Sequence, residues 1–100
     1  MTTDINNTLD ERGKRYGKFK GHAEITQALK RLIMLHTPAT RILPDGRTER
    51  FLAADQQEAL EMICHKIGRI INGDPDYADS WHDIAGYAQL VADRLNGVQR

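Results

Sequence analysis

One hundred residues, 11.3 kDa, is one domain's worth of chain. Folding at this size buries roughly 60–70% of the unfolded surface, so one core is possible without staples and a second domain is excluded. Fourteen basic and fourteen acidic side chains cancel to zero net charge, which removes any overall pull toward DNA, RNA or an anionic membrane. The balance hides an asymmetry. Residues 1–50 hold ten basic and six acidic groups, residues 51–100 four and eight, which favours the two halves packing together or one chain docking on another.

Cys64 is the lone cysteine, so no intrachain disulfide can form and a reducing compartment fits best. The first eight residues are polar and lack the apolar core of a signal peptide. Leu32-Ile33-Met34-Leu35 is the longest large-apolar run, far short of the ~20 residues of a membrane span. The expectation is a cytoplasmic protein with no membrane partner.

In chain order, a short first helix is expected over roughly Asp4 to Arg12. A second begins after Tyr16-Gly17 and runs to about His36, with Ile25, Ala28, Leu29, Leu32 and His36 on one stripe. It stops before Pro38, because the residue preceding a proline avoids helical dihedrals. Residues 37–53 form a hairpin-like excursion: Arg41-Ile42-Leu43 and Arg47 to Phe51 read as short extended arms about Pro44-Asp45-Gly46. The third helix opens at Asp55, read as an N-cap with Glu58 at N3. Leu60, Ile63, Cys64, Ile67, Ile70 and Ile71 share its core face, and Asn72-Gly73 stops it. The fourth starts between Pro75 and Ser80, with Ser80 as its cap. Trp81, Ile84, Ala85, Ala88, Val91, Ala92 and Leu95 lie on its core stripe, and Asn96-Gly97 ends it. The predicted architecture is an all-α, compact bundle of about four helices, a single domain over residues 1–100.

Opposite the third helix's core stripe lie Glu58, Glu61, Met62, His65 and Arg69, with Lys66 at the edge. The fourth helix carries a second face of Asp79, Asp83, Gly86 and Leu90, flanked by Tyr87 and Arg94. A glycine inside a helix costs about 1 kcal/mol relative to alanine, so Gly86 is expected to mark a close approach to another helix or chain. Glu58, Glu61, Asp79 and Asp83 are four carboxylates from two neighbouring helices, hard oxygen ligands of the kind magnesium takes.

Arg12 to His22 interleaves basic and aromatic residues among glycines. Backbone amides of glycine-rich turns receive phosphate, guanidinium groups hold it bidentately, and Tyr16 offers a stacking surface. Arg41, Arg47 and Arg50 are further phosphate candidates. The four histidines and Cys64 show no zinc-ligand spacing. Cys64 belongs to the core, and so, first, does Trp81.

The four carboxylates look like those of the all-α nucleoside triphosphate pyrophosphohydrolases of the MazG type, except that Ser80 stands where their later glutamate is expected. Two longer segments carry a broader resemblance. One is Arg12-Gly13-Lys14-Arg15-Tyr16-Gly17-x-Phe19 with Ala23-x-x-Thr26-Gln27-x-Leu29-Lys30. The other starts at Glu58-Ala59-Leu60-x-Met62-Ile63-x-x-Lys66-Ile67-x-Arg69-Ile70 and runs through Gly73-Asp74-Pro75-x-Tyr77-x-Asp79-Ser80-Trp81 into Asp83-Ile84-Ala85-Gly86-Tyr87-Ala88. The chain resembles the small phage domains called nucleotide modification associated domain 1, and is similar to the helical phage proteins that sequester cyclic nucleotide immune signals, the anti-CBASS sponges. The resemblance implies a phage-derived, nucleotide-handling homo-oligomer, a dimer or tetramer in the host cytoplasm, that binds a cyclic di- or trinucleotide at a subunit interface without cofactor or cleavage. It points to Arg12, Tyr16, Gly17, Lys66, Arg69, Asp79, Trp81, Asp83 and Tyr87. The MazG-like alternative implies magnesium on Glu58, Glu61, Asp79 and Asp83.

Overall fold

The computed structural model describes residues 2–100. In order it contains α1 (Thr2–Tyr16), α2 (Phe19–His36), β1 (Thr40–Ile42), β2 (Thr48–Arg50), α3 (Ala54–Asn72) and α4 (Ala78–Leu95). The four-helix bundle stands, with a small two-stranded sheet that an all-α description leaves out.

The first helix runs past Arg12 to Tyr16 and takes Gly13 into its interior. Gly17 ends it in the left-handed region (φ +74°), its N–H reaching the Gly13 carbonyl at 3.0 Å, a glycine C-cap. The basic, glycine-containing run from Arg12 to His22 is therefore almost wholly helical. The amides of its α1 part, through Gly17, are committed to helix bonds, whereas Phe19, Lys20 and Gly21 open the first turn of α2, where N–H groups have no acceptor within the helix. Thr37 closes α2, its hydroxyl donating to the Ile33 carbonyl at 2.6 Å. The excursion is an antiparallel hairpin with Thr40 opposite Arg50, Arg41 opposite Glu49 and Ile42 opposite Thr48. Gly46 supplies the positive φ (+87°) its turn requires.

Two expected caps sit elsewhere. Ala53 precedes the first residue of α3, and Gln56 reaches back to accept its N–H at 2.8 Å; Asp55 lies inside the first turn and pairs with Arg94 at 2.6 Å. Ser80 is not a cap either. It lies in the first turn of α4 and is buried against α3, with Tyr77 ahead of the helix.

α3 is the central element. It packs on α2 along one side and on α4 along the other, while α2 and α4 do not meet. The α2 contact is close because Gly68 has no side chain: a Cβ there would run into Thr26 Oγ1 and the His22 ring. His22 and Thr26 are buried at that crossing. The seam with α4 is formed by Ala59, Ile63 and Ile70 against Ser80, Ile84, Tyr87 and Val91, all buried or half-buried. Cys64 is buried as expected, and burial raises its thiol pKa. α1 is held at its end only, since residues 4–14 are exposed on every side. The molecule measures 57 × 30 × 28 Å with a radius of gyration of 17.0 Å, against about 13 Å for a compact 100-residue domain.

Candidate functional site

The two motif-bearing segments, some fifty residues apart in sequence, meet where α1 ends, α3 ends and α4 begins. The joint is a backbone clasp. Asp74 donates its N–H to the Arg15 carbonyl at 2.6 Å, and the Asn72 amide donates to the carbonyls of Tyr16 and Lys18, both at 2.8 Å. Three glycines permit it. A Cβ on Gly17 would sit on the Asn72 carbonyl, one on Gly21 on the Asn72 side chain, and one on Gly73 on the Arg15 carbonyl and Tyr16 backbone. Gly17 thus earns its place by packing and by its positive φ rather than by reaching a ligand.

The clasp gathers a cationic and aromatic cluster. Tyr16 and Tyr77 meet edge-to-face, centroids 6.1 Å apart. The Arg69 guanidinium lies over the Tyr16 ring at 4.2 Å, and that of Arg15 over Tyr77 at 4.7 Å. Arg15 also donates to the Tyr77 hydroxyl oxygen at 2.8 Å, and that hydroxyl donates to Asp79 at 2.9 Å. The bond to Asp79 raises the Tyr77 pKa. Lys66, only 12% exposed, pairs with Asp83 at 2.8 Å and holds its carboxyl below the ordinary value.

The cations are unequally engaged. Arg15 is tied to Glu11 at 2.5 Å and Lys66 to Asp83, whereas Arg69 and Arg12 have no carboxylate partner among the described residues. Arg12 lies one turn before Tyr16 on the same side of α1. His65 registers the resulting field. Burial first, then the positive charge of Arg69, pushes its pKa down to about 4. It meets His22 edge-to-face at 4.6 Å, and His22 Nε2 lies 3.0 Å from the His65 carbonyl.

Of the residues singled out from the sequence, Tyr16, Gly17, Lys66, Arg69, Asp79 and Asp83 come together here, with Arg12 beside them. Trp81 does not. It is 55% exposed on the opposite flank of α4, its indole N–H donating to the Pro75 carbonyl at 2.8 Å, so neither core packing nor this cluster claims it. Tyr87 stands one turn beyond Asp83 and turns partly into the α3 seam. Gly86 marks no close approach within the chain, since a Cβ there meets nothing within 4 Å.

The four carboxylates do not converge either. Glu58 borders a cavity of about 430 Å³ with Leu90 and Arg94, while Glu61 borders another of about 510 Å³ with Lys30 and Phe51 and accepts from Gln57 at 3.0 Å. Asp79 and Asp83 are bonded to Tyr77 and Lys66. Among the described residues no group of three or more His, Cys, Asp or Glu is placed to hold a metal ion. On the hairpin, Arg41 and Arg47 pair with Glu49 and Asp45, each at 2.6 Å, and Arg50 donates to Gln57 at 2.5 Å.

The sequence reading passed over Arg15, Tyr77, Asn72 and the His22–His65 contact. Tyr77 stood within a quoted motif and Asn72 within a helix stop, but their partners are 56 to 62 residues away, beyond the reach of local periodicity.

The fold and this cluster define a small helical protein whose cationic–aromatic site lies where three helix ends meet. It belongs to a family described as a domain of unknown function (DUF6378), whose model matches residues 3–95. No curated protein and no solved structure matches the chain.

Proposed function

We propose that this protein, as a homo-oligomer, binds a nucleotide at the Arg12–Tyr16–Arg69 cluster and holds it intact. The ligand class we assign is a cyclic di- or trinucleotide, as the phage-sponge resemblance implies. The observation that carries the reading is a guanidinium without a carboxylate partner, Arg69, stacked on Tyr16, with a second, Arg12, one helical turn before that tyrosine. Such groups offer forked N–H donors to phosphate, and a guanidinium already stacked on an aromatic ring extends a platform onto which a base can stack. Lys66 is neutralised by Asp83, and Asp79 orders Tyr77. The separation of the four carboxylates favours binding over hydrolysis.

The reading requires Arg69→Ala and Tyr16→Ala each to weaken binding of cyclic dinucleotide by at least about tenfold in calorimetry (1.4 kcal/mol). Arg41→Ala, on the hairpin, leaves affinity unchanged. If both site variants bind as wild type does, the site is misplaced. If no nucleotide binds wild type, the function is wrong.

A further inference from the structure

The apolar stripes that the sequence assigns to the cores of α3 and α4 are only partly covered by this chain. Successive helical residues advance by about 100°, so ion pairs identify the flanks of the α3–α4 seam. Lys66–Asp83 and Arg94–Asp55 both bridge the seam on one flank. The other flank of both helices therefore faces one way. On α3 it carries Leu60, Ile67 and Ile71, and on α4 Trp81, Ala85, Ala88, Ala92 and Leu95. Ile71 is 66%, Trp81 55% and Leu95 59% exposed, and the three alanines are exposed as well. No charged residue interrupts the α4 stripe, which is about 21 Å long at 1.5 Å per residue.

A row of helices with one apolar face is half of a two-layer domain. The area agrees. The chain exposes 7510 Å², whereas a compact monomer of 11.3 kDa exposes about 5,700 Å². The excess, to which the unsupported α1 also contributes, exceeds the ~800 Å² that each partner contributes to a standard interface.

We infer that a second copy of this chain covers this face, with the two α4 helices packed antiparallel about a two-fold axis near Ala88. The stripe is self-complementary in that sense, as an isologous interface demands. Reversal about Ala88 sets Trp81 against Leu95 of the partner subunit and Ala88 against its own copy, and brings Ala85 to within one residue's rise of the level of Ala92 of the partner subunit. The small residues fall at the centre, where the helices approach most closely, and the large ones at both ends. Exposed Trp81 is thereby explained: it is a core residue of the assembly rather than of the chain. This deepens the oligomeric part of the reading above and rests on it, but it requires no nucleotide.

Two measurements on the full chain without nucleotide test it. Light scattering at tens of micromolar is expected to give at least twice 11.3 kDa for wild type and one chain's mass for Ala88→Arg. A wild-type monomer, or an unaltered Ala88→Arg oligomer, overturns the proposal. Mild oxidation of Ala88→Cys is expected to produce a disulfide-linked dimer, with wild type as the background because Cys64 is buried. Ala85→Cys alone stays unlinked, whereas the double variant Ala85→Cys/Ala92→Cys links. Linking of Ala85→Cys alone indicates a parallel pair and overturns the antiparallel register, as does failure of Ala88→Cys to link. Loss of nucleotide affinity with linking intact counts against the function alone.

Discussion

Gly73 and Gly86 are chemically identical and structurally opposite. A methyl group at Gly73 must displace the backbone of Arg15 and Tyr16, while one at Gly86 enters open space. Overpacking against backbone costs typically 1–3 kcal/mol, and replacing an exposed mid-helix glycine by alanine gains about 0.5–1 kcal/mol. Gly73→Ala should accordingly lower Tm by about 4 °C or more and Gly86→Ala raise it by a few degrees, at about 4–8 °C per kcal/mol for a chain of this size. A Gly86→Ala that destabilises would mean another chain covers that face.

His65 gives a pH signature at the same scale. Its pKa falls from an ordinary 6.5 to about 4, through burial and then Arg69, so the folded state favours the neutral ring. The associated stability is complete above about pH 6.5 and is lost as pH falls from there through 4. Thermal unfolding of wild type should show Tm declining across that window, with the decline shallower in His65→Gln. Equal slopes in the two proteins would remove His65 as the cause. A bound phosphate beside Arg69 works against the same field and should raise the His65 pKa in an NMR titration.

Between elements, Asn72 is the residue that fastens α1 to the body, through its two bonds to the Tyr16 and Lys18 carbonyls. A helix of fifteen residues is marginal in water by itself, and residues 4–14 find no support in this chain. Asn72→Ala should cost about 1–2 kcal/mol for the bonds lost and hasten tryptic cleavage after Arg12, Lys14 and Arg15. Unchanged cleavage would show that α1 is held otherwise. How legible these elements were follows from what makes each. α3 and its stop at Asn72-Gly73 could be read because period and punctuation are local, and so could the hairpin about Pro44-Asp45-Gly46. Ser80 misled because a serine beside an acidic, proline-containing turn fits a cap; its burial against α3 depends on a tertiary seam. Arg12 to Tyr16 misled because glycine there suggests a loop, yet Gly13 is tolerated inside α1. The site was half legible. Tyr16, Lys66 and Arg69 stand out by type, but the pairings of Arg15 with Tyr77 and Asn72 with Tyr16 depend on the clasp.

At the scale of the molecule, α3 carries a helix on each side and leaves an apolar flank open, while α1 is held only at its end; together these account for the elongated outline and the excess surface. The stripes read from the sequence as core were correct as apolar faces. A period of 3.6 records that a face is to be buried, not whether the same chain buries it, which is why Trp81 was assigned to packing within the monomer. The opposite flank carries the Lys66–Asp83 pair, so assembly through α4 leaves that side of the site open to a ligand.

The account turns on a nucleotide being held rather than changed. Purified protein would be incubated with cyclic dinucleotides, cyclic trinucleotides and nucleoside triphosphates, with and without magnesium, and free ligand measured by chromatography before and after heat denaturation. The predicted result is a cyclic nucleotide that disappears from solution without metal and returns intact on heating. A ligand recovered only as product, and only where magnesium was present, would contradict it and make the carboxylates catalytic.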